Sequence, residues 1–270
     1  MAFLAVPQPY DFERSTERFR AFGPDLANLW HDGGLHRVVA GRELRIGPAA
    51  GGVDVEPLDD QTRPVVRKLL GLDFELGPFY DWAAQRPILA ALVRRLEGFR
   101  PPLAPDPFES LVTSITAQQV SMQSAFAIRN RMIERFGERT GRAYAFPMRE
   151  TIARASEAEL VALGFSRRKT EYVVGLARAD IDFDALSGLE DDAIRSRLTA
   201  VRGLGPWSAE WFLARHLARP RAWPAGDLAL RKAADVLYGL DVRELGRRLD
   251  PFQNLSAHYL LFGLRAAAAA

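Results

Sequence analysis

A chain of 270 residues with 36 basic and 34 acidic side chains carries a formal net charge of +2, so it is no polycation. Its hydrophobic share of 48% and charged share of 26% fit a folded globular protein with room for more than one core. Cysteine is absent, which excludes disulfides, zinc–thiolate sites, iron–sulfur clusters and cysteine nucleophiles.

The opening stretch MAFLAVPQPYDFER lacks a basic leader and a long apolar run, so it does not read as a signal peptide. No apolar stretch reaches the ~18 residues of a membrane span. The expectation is a cytoplasmic protein, monomeric by default. STERFRAFG has the pattern of a short helix. LHRVVA, RELRIG and VDVEPL are rich in strand formers and are separated by Gly and Pro. TRPVVRKLLGL has helical spacing and stops at Gly71. Residues 1–72 therefore read as a small α/β domain, an antiparallel sheet with one or two helices.

From residue 73 to 270 the pattern is helical almost throughout, and the fold class is mostly α. FYDWAAQRPILAALVRRLEGF runs to Gly98, a proline-rich link follows, and FESLVTSITAQQVSMQSAFAIRNRMIERFG is the next long segment. Shorter helical segments fill the rest, and the closing run of alanines reads as a frayed end. Aligning Glu171 with Glu210 also aligns Gly164 with Gly203 and Tyr172 with Trp211. Both segments read helix, tight turn, helix; chance likeness accounts for this as well as a true repeat does.

The four histidines, His31, His36, His216 and His258, have no metal-ligand spacing and read as surface or packing residues. The most informative stretch is VRGLGPWSAEW, residues 201–211. Gly203 and Gly205 permit backbone angles that other residues resist, and Pro206 suits the first position of a helix. The stretch encodes a plain helix–helix connection or a turn whose amides hold a phosphate at a helix N-terminus. Trp207 and Trp211 share a helix face. Either both fill a core or they wall a pocket for a flat ligand. Asp227 stands before the helical segment LALRKAADVLYG, where it reads as an N-cap. A capped carboxylate is also oriented well enough for catalysis, so the two roles are compatible.

Taken together, VRGLGPWSAEW and WPAGDLALRKA resemble the helix–hairpin–helix plus Gly/Pro…Asp signature of the helix–hairpin–helix (HhH-GPD) DNA glycosylases. DPFESLVTSITAQQVS resembles the helix of that family that precedes the DNA-facing wedge. LGFSRRKTEYVVGLA resembles its Gly-x-x-x-x-Lys-x-x-Tyr helix start. The likeness covers roughly residues 73–264 and is nearest to the alkylation-repair branch of 3-methyladenine DNA glycosylase II type. The first segment resembles that branch's α/β domain.

The resemblance implies two helical subdomains with the active-site cleft between them, and double-stranded DNA containing damaged bases as the partner. It implies Asp227 as the catalytic carboxylate and Trp207 and Trp211 as the base pocket. Gln118 and Gln119 would lie at the minor groove, with Gln119 at the wedge position. Arg202 and the amides of Gly203 and Gly205 would meet the DNA backbone. Carbonyls of Thr199, Val201 and Leu204 would hold a monovalent cation, Na+ or K+. Members that also cut the strand carry a hairpin lysine. Here that position is Trp207, and Lys68, Lys169 and Lys232 are the only lysines. A monofunctional enzyme leaving an abasic site is expected, with no catalytic cofactor and no iron–sulfur cluster. A cationic alkylpurine leaves without a strong acid. A neutral base such as hypoxanthine or uracil needs a donor, and the sequence offers none. Relatives often carry Pro-Trp-Arg where Phe252 and Gln253 stand, and a pocket tryptophan near Leu261 and Phe262. The rival readings are a glycosylase for another damaged base and a non-catalytic helix–hairpin–helix lesion-binding module.

Overall fold

A computed structural model describes the backbone of residues 1–268 and the side chains of residues 1–265. The closing alanine run falls within it only as helix backbone to Ala268; the last two positions lie outside the described residues. The fold is mostly α, with an antiparallel sheet confined to its first quarter.

That sheet contains β1 (Ala2–Ala5), β2 (Leu29–His31), β3 (Gly34–Val39), β4 (Arg42–Ala49) and β5 (Gly52–Glu56) in the order β1-β5-β4-β3-β2. Alternation decides which face is covered: Leu44 and Ile46 of β4 and Val53 and Val55 of β5 are buried. They pack against α1 (Phe12–Thr16) and α2 (Thr62–Leu69) through Phe12, Val66 and Leu69. The helix expected over residues 15–23 starts earlier. Asp11 caps α1 through the Arg14 amide, and a 3-10 turn over Glu17–Phe19 follows. Strands β1 and β2 were not expected, because three or four residues are too few for alternation to show.

The helical region begins with α3 (Leu76–Ala83) and α4 (Pro87–Arg95). The single helical stretch expected there is broken because Pro87 lacks an amide and serves as the first residue of a new helix. The next long segment also divides, into α5 (Pro107–Ala117) and α6 (Met122–Phe136), at a turn where Gln119 has φ of 56°. A short ladder, β6 (Arg139–Thr140) with β7 (Ala143–Tyr144), interrupts the region expected to be all α. The Tyr144 amide donates to the Leu26 carbonyl, which ties this ladder to the first segment. Then come α7 (Arg149–Arg154), α8 (Glu157–Ala162), α9 (Arg167–Arg178), α10 (Asp191–Ala200), α11 (Pro206–Arg215), α12 (Leu228–Tyr238), α13 (Val242–Arg248) and α14 (Gln253–Ala268).

Buried apolar side chains gather in three cores. The first lies under the sheet and ends at Leu72. The second contains Phe108 through Ala222, hence α5 to α11. The third joins residues from Phe74 to Leu103 with residues from Leu230 to Leu260, so it is built from chain on both sides of the second. The link between α4 and α5 crosses both boundaries: the Leu103 amide donates to Lys68 and the Ala104 amide to Arg215. A buried ionic cluster fastens the sheet to the helices. Glu109 of α5 accepts from Arg37 of β3 at 2.6 Å and from Arg129 of α6 at 2.5 Å, and Arg129 also pairs with Asp25. Among the described residues, no helix is long and apolar enough to cross a membrane.

Candidate active site

Helix α10 stops at Ala200 and α11 starts at Pro206, which leaves five residues to reverse the chain. Gly203 has φ of +97°, and a Cβ there would lie 2.2 Å from the ring of Tyr172. Only glycine lets α9 pack this closely on the turn. Gly164, its counterpart in the internal echo, also has φ of +97°. The amides of Gly203 and Gly205 donate no backbone hydrogen bond among the described residues. The carbonyls of Thr199 and Leu204 accept none across the turn, whereas that of Val201 accepts from the Leu204 amide at 3.0 Å. The hairpin thus carries free donors and free acceptors, as helix ends do. Arg202 extends into solvent and pairs with Glu171.

The end of α5 is pinned to this turn. Gln118 donates its side-chain amide to the Gly203 carbonyl at 2.8 Å. Lys169, at the start of α9, donates to the Thr116 carbonyl at 2.8 Å. Gln118 is therefore engaged with the hairpin, while Gln119 is exposed at the tip of the α5–α6 turn. Lys169, one of three lysines in the chain, is committed to α5 rather than to the hairpin.

Asp227 caps α12. Its Oδ1 accepts from the Ala229 and Leu230 amides, both at 3.0 Å. Its Oδ2 accepts from the indole N–H of Trp207 at 3.2 Å and of Trp211 at 3.0 Å. Four N–H donors fix both oxygens of a half-buried carboxylate. Capping and indole contact occur together, on opposite oxygens.

Both indoles line a cavity of about 330 Å³ shared by residues of the second and third cores, and Asp227 lies on its wall. The two are not equivalent. Trp207 is half-buried, whereas Trp211 is 4% exposed. The Arg215 guanidinium lies 3.5 Å from the centroid of the Trp211 ring, and the His258 ring meets Trp211 edge-on at 5.8 Å. One face of Trp211 is thereby covered, unlike the free wall that sequence reasoning expected. Leu261 and Phe262 line the cavity. Phe252 instead packs on Phe79 and Trp82 in the third core, and Gln253 donates to Asp250. The two departures at 252 and 253 therefore lie off the cavity wall.

Sequence reasoning missed four side chains here: Arg18, Arg215, His258 and Arg265 all line the cavity. Arg265 pairs with Glu17 at 2.8 Å. Burial, then Arg265, pulls Arg18 down to about 10, still charged at neutral pH. Burial, then Arg18, pushes Arg215 well below its ordinary value. Burial, then Arg215, Arg18 and Arg265, pushes His258 well below its ordinary value, so its imidazole is neutral. No local signal marks these residues, because they converge from three distant parts of the chain. His258 was read as a packing residue; it is buried and also faces the cavity.

Residues 112–249 match the model of the HhH-GPD superfamily base excision DNA repair proteins. The chain belongs to this superfamily. The DNA-3-methyladenine glycosylase of Bacillus subtilis is 30% identical over 200 residues, covering 70% of this chain and 66% of that one. A Mycobacterium tuberculosis protein named as a probable bifunctional transcriptional activator/DNA repair enzyme AlkA is 31% identical over 254 residues, 87% of this chain and 50% of that one. The chain thus spans between half and just under two thirds of these two relatives' length. Among solved structures, the 3-methyladenine DNA glycosylase of Archaeoglobus fulgidus superposes with a TM-score of 0.85 at 26% identity, covering 97% of each chain. The likeness to that structure includes the sheet of the first segment as well as the helices.

Proposed function

We propose that the chain is a DNA glycosylase of base excision repair that hydrolyses the N-glycosidic bond of alkylated purines and leaves an abasic site. The observation that carries the reading is the placement of Asp227: a fixed carboxylate on the wall of an aromatic cavity, bonded to the indole of Trp207 in the helix that follows a hairpin with free amides. The names of the relatives support the alkylpurine class.

A target base stacked in a duplex must first be swung out. The amides of Gly203 and Gly205 would take phosphate oxygens at the positive end of α11. The carbonyls of Thr199 and Leu204, free of backbone partners, and the remaining lone pair of Val201 fit a monovalent cation. Such an ion, when bound, would supply positive charge between these carbonyls and a phosphate. These contacts carry no sequence information, which suits repair. Gln119, exposed on a turn held at both ends, would fill the space left in the duplex.

The extruded base would lie against Trp207, whose half-buried indole gives a cationic purine about 0.5–2 kcal/mol beyond packing. As the bond breaks, positive charge grows on the sugar. A carboxylate about 4 Å away stabilises it by roughly 4 kcal/mol at an effective dielectric constant near 20, or about 10³-fold in rate. The four donors on Asp227 keep it from moving toward the sugar, so it acts by its charge. None of the three lysines lines the cavity, which supports hydrolysis without strand cutting.

The test uses duplex DNA carrying 3-methyladenine and 7-methylguanine. Free bases released by the protein, with strand breaks appearing only after alkali, are the expected result. Intact DNA, or breaks that form without alkali, would contradict the reading.

A further inference from the structure

Two turns of the chain share one backbone conformation. Gly164, between α8 and α9, and Gly203, between α10 and α11, both have φ of +97°. They differ in what they leave free. At the α8–α9 turn the amides of Leu163, Gly164 and Phe165 donate to carbonyls of α8, so none remains for a ligand. The charge there comes from side chains instead. Arg131 of α6 donates Nε to the Leu163 carbonyl at 2.6 Å and lays its guanidinium against Gly164. Arg167 and Arg168 are the first residues of α9. All three arginines are exposed, and none forms an ion pair among the described residues. Glu159 of α8 and Glu171 of α9 are already paired, with Arg135 and Arg202.

The place of these arginines follows from the contacts of α9. Arg168 precedes Glu171 and Tyr172 by three and four residues, so it shares their helix face. That face borders the α10–α11 hairpin, because Tyr172 packs at Gly203 and Glu171 pairs with Arg202. Lys169 ties the same end of α9 to the Thr116 carbonyl, and Gln118 ties the end of α5 to Gly203. The Gln119 turn is thus flanked on one side by the hairpin and on the other by the arginine-bearing end of α9.

The minor groove of duplex DNA is roughly 6 Å wide and has one backbone along each side. A wedge entering it at Gln119 lies between two rows of phosphates, and the hairpin amides take only one row. Guanidiniums donate in a fork that fits phosphate oxygens. From this we infer that Arg131, Arg167 and Arg168 form a second backbone-binding surface, which takes phosphates of the complementary strand. Arg131, fixed to a turn carbonyl, supplies there the positive charge that the first hairpin would draw from a monovalent cation. The inference rests on the placement of DNA in the glycosylase reading and adds a second strand contact to it.

The experiment measures affinity of the full chain for a duplex carrying a tetrahydrofuran abasic-site analogue, by fluorescence anisotropy, as KCl rises from about 50 to about 200 mM. Each phosphate contact contributes about 0.9 to the slope of log affinity against log salt. Arg131→Gln, Arg167→Gln and Arg168→Gln should each lower the slope by about 0.9, and the triple variant by about 2.7. Neutral methylphosphonate linkages in the complementary strand should lower the parent's slope likewise and leave that of the triple variant unchanged. Because Arg131 also holds the turn, Arg167→Gln and Arg168→Gln decide the matter should Arg131→Gln fail to fold. Unchanged slopes in those two overturn the inference. A loss reproduced by neutral linkages in the lesion-bearing strand alone overturns it as well. Release of 7-methylguanine from a second duplex is measured alongside. Its absence in the parent protein overturns the glycosylase reading, while the slopes still decide whether the second surface exists.

Discussion

Trp211 and Asp227, sixteen positions apart, are joined by an indole N–H donating to a carboxylate Oδ2 at 3.0 Å. The contact couples α11, which emerges from the glycine hairpin, to α12, which the same carboxylate caps. Anything that shifts the hairpin therefore moves the carboxylate, so the hairpin geometry and the charge in the cavity are one device. Trp211→Phe keeps the ring and removes the donor. A hydrogen bond to a charged group contributes about 1.5–3 kcal/mol, so the melting temperature should fall by roughly 5 °C. Base release should fall about tenfold because Trp207 alone then holds Oδ2. Calorimetry with single-turnover assays checks both, and an unchanged melting temperature would contradict the coupling.

The two hairpin glycines should respond differently to alanine. Gly203 combines φ of +97° with a Tyr172 ring that occupies the Cβ position. Gly205 has a negative φ, and nothing lies within 4 Å of its Cβ position. Gly203→Ala should lose about 2 kcal/mol or more, from left-handed backbone strain and displacement of Tyr172. Gly205→Ala should stay within about 0.5 kcal/mol of the parent. Denaturant titrations of the two variants measure the difference, and equal stabilities would refute the assignment.

Glu109 holds the first segment to the helices. Burial opposes its charge, but Arg37 and Arg129 outweigh burial and keep its carboxyl below the ordinary range. Glu109→Gln leaves the buried Arg37 guanidinium without its counter-charge and Arg129 with Asp25 alone. Breaking one partner of such a cluster costs about 3–5 kcal/mol. Urea unfolding should register that loss, and a loss below 1 kcal/mol would show that the cluster contributes little to docking the sheet.

Acid should weaken the fold through the buried imidazole of His216. Burial, with Lys68 adding to it, lowers His216 to about 4 from an ordinary 6.5. The unfolded chain therefore binds this proton first as pH falls. Stability from neutral His216 is complete above about pH 6.5 and is lost by about pH 4, a total of about 3 kcal/mol. Glu109, with its depressed value, adds a further loss as pH falls below about 4.3. Stability measured from pH 7.5 to 4 should decline with a slope that His216→Gln reduces. A flat profile across that interval would contradict the burial of a neutral imidazole.

Much of the fold was legible in sequence where a local rule dominates. Strands β3 to β5 announced themselves through β-branched runs between glycines, and α2 through its spacing and its stop near Gly71. Asp227 was legible because a cap and a family signature coincide on one residue. What escaped has a physical cause in each case. Pro87 and Gln119 break helices whose apolar spacing continues across the break, so periodicity alone runs through them. The covered face of Trp211 depends on the rotamer of Arg215, four residues along the same helix. Arg18 and Arg265 reach the cavity only through tertiary packing of the first segment and the last helix. The expectation that the sequence offers no donor considered only neighbours in sequence, whereas these arginines reach the cavity wall from distant parts of the chain.

The central claim is that the Asp227 carboxylate acts on the sugar by its charge. The most direct measurement compares wild type and Asp227→Asn in single-turnover release of 7-methylguanine from duplex DNA, with affinity for that duplex measured alongside. Asparagine retains capping ability but not the charge. Release slower by about 10³-fold with affinity within threefold of wild type is the predicted result. Release within tenfold of wild type would contradict the account, because the bond would then break without the charge assigned to it.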